Sequence, residues 1–119
     1  MKHLLDSVEF SIYNRNMNDP QLPEPIVFEW DSGNQSKSLK KHEITNQEAE
    51  ETFFAYKLVI PDQRHSQTEP RFGLYGRTNS GKILFIAFTV RHRRVRIISA
   101  RPADKKERRI YEKTFKKTA

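Results

Sequence analysis

Lys41 and His42 stand side by side, and with Arg77 and Arg96 they offer cations and an imidazole in a chain that has no cysteine. Such a set suffices for one reaction, the cleavage of RNA by attack of its own 2′-hydroxyl on the adjacent phosphate. The RNA brings the nucleophile, so a protein need only position it, shuttle protons and neutralise charge on the phosphorane. Imidazole serves as acid or base near neutral pH, which makes His42 the candidate for proton transfer. Lys41, Arg77 and Arg96 are candidates to hold the phosphate. His42 also reads as a residue at a helix C-terminus, where a cation is favourable.

Other chemistries lack their residues. Without cysteine there is no thiol catalysis, disulfide or thiolate zinc site. The four histidines have neither an i, i+4 partner nor ligand spacing. Glu48, Glu50 and Glu51 read as solvated charges on a helix rather than a glycosidase pair. "GRTNSGK" lacks the spacing of a phosphate-binding loop and reads as a hairpin turn, and no G-x-S-x-G marks a nucleophilic serine.

The elements that must position these residues belong to one domain of 119 residues. Eight Phe, four Tyr and one Trp supply enough apolar surface to fold. No apolar run approaches the roughly 18 residues of a membrane span, and "MKHLLDSVEF" lacks a signal-peptide core, so a cytoplasmic protein is expected. The net charge of +7 is unevenly placed. Residues 91–117 hold twelve Lys and Arg against three acids, whereas residues 28–90 hold eight against eight. Arginine-rich composition favours bidentate contacts, and the concentration of charge points to nucleic acid or an acidic partner.

Along the chain, "DPQLPEP" predicts an extended linker, "VFEW" a short strand, and Asp31 an N-cap for a helix over 32–42 whose Lys37, Lys40, Lys41 and His42 cluster at its end. Thr45 and Glu48 form a capping-box signature for a second helix over 46–55, with Ile44 stapled on Ala49. Strands follow at "KLVI", "RFGLYGR", "KILFIAFTV" and "RVRIISA", with "TNSG" and "RHR" as turns. Arg94 and Arg96 fall on one strand face, Val95 and Ile97 on the other. Pro102 opens a final helix over 103–117 that packs through Ile110, Tyr111, Thr114 and Phe115. The expected class is α+β: an antiparallel meander sheet of about four strands with two N-terminal helices and one C-terminal helix.

"FEWD" at 28–31, "LKKH" at 39–42, "PDQRHS" at 61–66, "EPRFGLYGR" at 69–77 and "RVRIISARPADKKERRIYE" at 94–112 together resemble the BrnT toxins of bacterial type II toxin-antitoxin systems. The resemblance implies a RelE-like α+β ribonuclease that needs no metal or other cofactor and blocks translation. It implies an RNA substrate and a BrnA-like antitoxin, two toxins with two antitoxins, with operator DNA reached only through the antitoxin and no membrane partner. It places Lys41 or His42 in proton transfer, Arg77, Arg96 and Arg101 on the phosphate and Tyr111 as a positioning group. Lys37, Lys40, His65, Arg71 and Arg94 would bind RNA, and Trp30, Gly76, Ser99 and Ala100 would be architectural. Asn34 and Ser38 depart from the lysine and asparagine that family members often carry there. Residues 1–27 have no family counterpart, so the toxin domain is expected over 28–119, preceded by an added element or the product of an upstream start. A rival reading is a non-catalytic basic protein that pairs with a DNA-binding antitoxin as co-repressor, since phosphate binding alone needs the same arginines.

Overall fold

Alternating apolar residues give four strands, β1 (Lys57–Pro61), β2 (Phe72–Arg77), β3 (Ile83–Arg91) and β4 (Arg94–Pro102), in a computed structural model that describes residues 22–65 and 68–116. They pair in chain order as an antiparallel meander. Helices α1 (Lys37–His42) and α2 (Asn46–Glu51) precede the sheet and α3 (Lys105–Phe115) follows it, an α+β architecture as expected.

Residues directly opposite on antiparallel strands share a face, so the register sorts the side chains. Leu74, Leu84, Ile86, Phe88, Val95, Ile97 and Ala100 form the buried face, closed by Ile44, Ala49 and Phe53 from the α2 region. Phe53 stands edge-on to both Phe28 and Phe88, at 5.2 and 5.1 Å. Gly76 is required where this layer comes closest, because a Cβ there would lie 2.7 Å from the carbonyl oxygen of Thr52. The capping box of α2 forms: Glu48 N donates to Thr45 Oγ1, and Thr45 N donates to Glu48 Oε1, both at 3.0 Å. The helix then tightens into a 3-10 turn at Thr52–Phe54 in place of an α-helix running to 55.

Three local expectations are corrected. The first helix starts at Lys37, because Asp31 is spent elsewhere: its Oδ1 accepts from Gly33 N at 2.8 Å, and turns fill the chain up to Ser36. Pro102 ends β4, opposite Leu84, and the last helix is capped by Asp104 in a second capping box with Glu107. Ile110 is exposed, while Tyr111, Thr114 and Phe115 are buried.

"VFEW" adds one parallel bridge, Phe28 beside Val95, rather than a full strand. Glu29 N donates to Val95 O and Val95 N to Val27 O, both at 2.8 Å. Asn34 Nδ2 donates to Ile97 O, and Ala100 N donates to Ser38 Oγ, so the outer edge of β4 is occupied at Val95, Ile97 and Ala100. Of the segment before Phe28, residues 1–21 lie outside the described residues; Leu22 and Ile26 pack on the core, so ordered packing begins upstream of residue 28.

The β3–β4 turn consists of His92 and Arg93, with φ of 52° and 63°. Two successive positive φ values define the turn that suits a two-residue hairpin and favours Asn-Gly, so both residues sit in a costly region. Replacing His92-Arg93 by Asn-Gly is expected to raise stability by about 1 kcal/mol, read as a melting temperature higher by roughly 4 °C.

Candidate functional site

The second face of the sheet carries the arginines. Arg101 lies opposite Phe85 and Arg96 opposite Thr89, and since residues 85 and 89 share a face, so do the two arginines. Strict alternation would put residues 96 and 101 on opposite faces. A bulge corrects this: Ala87 pairs with Ser99 and Phe88 with Ile97, leaving Ile98 unpaired. Between the two arginines the face is low, with Gly73, Ala87 and Ser99 in one row across β2, β3 and β4.

Around Arg101 four side chains close a ring. Arg101 Cζ lies 4.6 Å above the centre of the Phe85 ring, which is packed against Tyr75 at 5.0 Å between centres. Tyr75 Oη donates to Glu107 Oε2 at 2.6 Å. Glu107 in turn accepts from Arg101 Nη1 and Nη2 at 2.8 and 3.0 Å, and its Oε1 also takes the Asp104 amide. The ring rests on Gly73, where a Cβ would stand 2.7 Å from the Phe85 ring. The Arg101 fork, ahead of the hydrogen bonds from Tyr75 and Asp104 N, pulls Glu107 down to about 2. Burial, then the bond to Glu107, pushes Tyr75 up to about 12.

A lowered carboxylate favours the folded state above its unfolded pKa and loses that advantage as acid protonates it. Glu107 is therefore expected to make stability fall between pH 4.5 and about 2. Denaturant titrations should show Glu107→Gln flattening that interval. Gln keeps the capping role at this helix position, so the change isolates the charge.

The other expected site residues fall into three groups. At the far end of the open face, Arg96 forks onto Asp31 at 2.8 and 3.0 Å and lies 3.5 Å from Glu29, and the Arg96 fork is the leading cause of the depressed Asp31 carboxyl. Arg91 bonds Glu69, Arg94 is exposed beside it, and Arg71 precedes β2 at the same end. His65 ends a 3-10 turn, Gln63–His65, with its Nδ1 2.8 Å from Asp62 Oδ2.

The second group is Arg77 over the Tyr111 ring at 5.6 Å. Tyr111 is buried, its Oη donates to Tyr56 O at 2.7 Å, and burial pushes its phenol up. Tyr111 thus anchors α3 on the sheet together with Ile83 and Phe115.

The third group, Lys37, Lys40, Lys41 and His42, lies on α1. Asn34 meets Ile97 and Ser38 meets Ala100, so this part of the chain advances alongside β4 in the same direction. His42 lies one turn beyond Ser38 and ends the helix, with Glu43 as its left-handed cap. No hydrogen bond or ion pair joins Lys41 or His42 to the arginines among the described residues.

Sequence reasoning gave Tyr75, Phe85 and Glu107 no role in the site. Phe85 sits in a run that is apolar on both alternations, and only the register reveals which phenylalanine underlies an arginine.

No curated protein matches the chain. A family model described as the ribonuclease toxin, BrnT, of type II toxin-antitoxin systems matches residues 30–107. That span holds every member of the ring around Arg101, the Asp31–Arg96 fork and α1, and it covers well over half of the sequence. The chain belongs to the BrnT family of ribonuclease toxins of type II toxin-antitoxin systems.

Proposed function

We propose that the protein is an endoribonuclease that cleaves RNA by 2′-hydroxyl attack without a metal, and so inhibits translation, with the open sheet face around Arg101 as its phosphate site. The supporting observation is the orientation of Arg101. Its Nη1–Nη2 edge is held by Glu107, its side chain is still 39% exposed, and Nε makes no hydrogen bond among the described residues. The Nε–Nη2 edge is therefore presented as a second, unfilled fork for a phosphate.

Arg77 supplies further positive charge beside the α3 anchor, and Lys41 or His42 moves the proton from the edge of β4. Lys37, Lys40, Arg71, Arg94 and His65 extend the basic surface for the rest of the RNA. Arg96 and Tyr111 shift from chemistry to scaffold, since each is committed to an internal partner. The protein acts in the cytoplasm, and a BrnA-like antitoxin, two copies with two toxins, covers this face and alone reaches DNA.

Induction of the chain without its antitoxin is expected to stop growth and amino-acid incorporation. Purified protein should cut RNA in EDTA, leaving 2′,3′-cyclic phosphate and 5′-hydroxyl ends. Normal growth with abundant folded protein, or cleavage of a strand whose scissile nucleotide is 2′-deoxy, would contradict the proposal.

A further inference from the structure

Resting on that reading, we infer that the open face of the Arg101 guanidinium is a stacking platform for one unpaired nucleobase of the RNA, with Phe85 and Glu107 as positioning residues that fix its plane. A guanidinium is a flat plate with two faces and usable edges. Arg101 Cζ stands over the Phe85 ring, 4.6 Å from its centre, and Glu107 holds one edge of the guanidinium through two hydrogen bonds. Nη1 is further tied to Pro102 O at 3.2 Å. The plate is thereby fixed in orientation, yet its side chain keeps 39% of its surface in solvent. Among the described residues no hydrogen bond engages Nε, and no ring contact is made on the side away from Phe85.

Those two features recognise different parts of one nucleotide. The edge takes a phosphate, and the face takes a base. Arginine planes and aromatic rings are the surfaces on which single-stranded RNA stacks its bases. The ground beside the plate is low, because the next residues along β3 and β4 on this face are Ala87 and Ser99. A base in a duplex already has stacking neighbours on both sides, so the platform selects unpaired RNA. The backing is deliberate in its geometry: Phe85 reaches beneath Arg101 only because Gly73 offers no Cβ, which would lie 2.7 and 3.0 Å from ring atoms. Tyr75 closes the arrangement by packing on Phe85 and bonding Glu107.

The test separates base from phosphate. A fully 2′-O-methylated oligonucleotide cannot be cut, so its binding is measured apart from catalysis. Its affinity is compared with that of an oligomer of the same length whose nucleotides are abasic. The wild type should prefer the base-bearing strand by about tenfold or more, and 2-aminopurine placed along the strand should be quenched at one position. Phe85→Leu should erase most of that preference and the quenching while binding of the abasic strand stays within about twofold, and Phe85→Trp should restore both. Arg101→Lys, which lacks the plane, serves if Phe85→Leu does not fold: whatever it loses on the abasic strand through the phosphate, its ratio of base-bearing to abasic affinity should fall toward one. Equal affinity of wild type for the two strands, or base preference that survives both Phe85→Leu and Arg101→Lys, would overturn the platform. Failure of the ribonuclease reading shows elsewhere, as absent cleavage of natural RNA by protein that still binds the methylated strand.

Discussion

Arg101→Lys is expected to slow RNA cleavage by roughly 10²-fold, the usual consequence of removing one oriented donor from a developing charge. Lysine keeps the positive charge and can still meet Glu107, but it has no second edge to offer a phosphate once the first is engaged. The lost interaction belongs to the transition state, so the rate constant under saturating RNA should fall more than the affinity does. Since Arg101 is 39% exposed and the ion pair survives in simpler form, the melting temperature should move by only a few degrees. A variant that cleaves at the wild-type rate would remove Arg101 from the phosphate and return the open face to general electrostatic attraction.

Arg96→Ala should give the opposite pattern, a loss of stability with cleavage per folded molecule kept within about threefold. Arg96 has 16% of its side chain exposed and holds two carboxylates, Asp31 through a fork and Glu29 at 3.5 Å. Glu29 Oε1 is buried and accepts no hydrogen bond among the described residues, and Arg96 Nη1, 3.5 Å away, is a cation that compensates it. Truncation removes the cation beside that oxygen, and a buried acceptor left unsatisfied costs about 2 kcal/mol, a fall of roughly 10 °C. Arg96→Lys should lose less, because a single ammonium still answers Glu29. Thermal melts beside cleavage rates decide the matter: a stable Arg96→Ala protein that no longer cuts RNA would place Arg96 back on the substrate.

These two arginines also show where reading the sequence reaches its limit. Local signals were legible: Thr45 with Glu48 gave a capping box, the turn at "TNSG" formed, and four strands paired in order. Asp104 with Glu107 carried the same signature and was overshadowed by Pro102, whose fixed φ also suits the end of a strand. Asp31 was read as a helix cap because nothing local announces a partner 65 residues away. The bulge at Ile98 was equally silent. A one-residue insertion changes which face every later side chain takes, and it is set by the neighbouring strand. The positive charge was therefore visible from composition, whereas the carboxylate or ring that each arginine meets required the folded arrangement.

The covered border of β4 leaves β1 as the flank on which another strand could pair. Backbone groups that an intruding strand would seek are already answered by Val27, Glu29, Asn34 and Ser38, so accidental cross-linking between molecules through that side is blocked by residues that carry no charge run of their own. The opposite border, β1, is five residues long, opens with Lys57 and ends at Pro61, which has no amide hydrogen to give. The sheet is thus guarded against self-templated aggregation on both flanks by different means. Opening the β4 flank, by removing the Asn34 amide that reaches Ile97 O, should lower solubility before it lowers RNA cleavage.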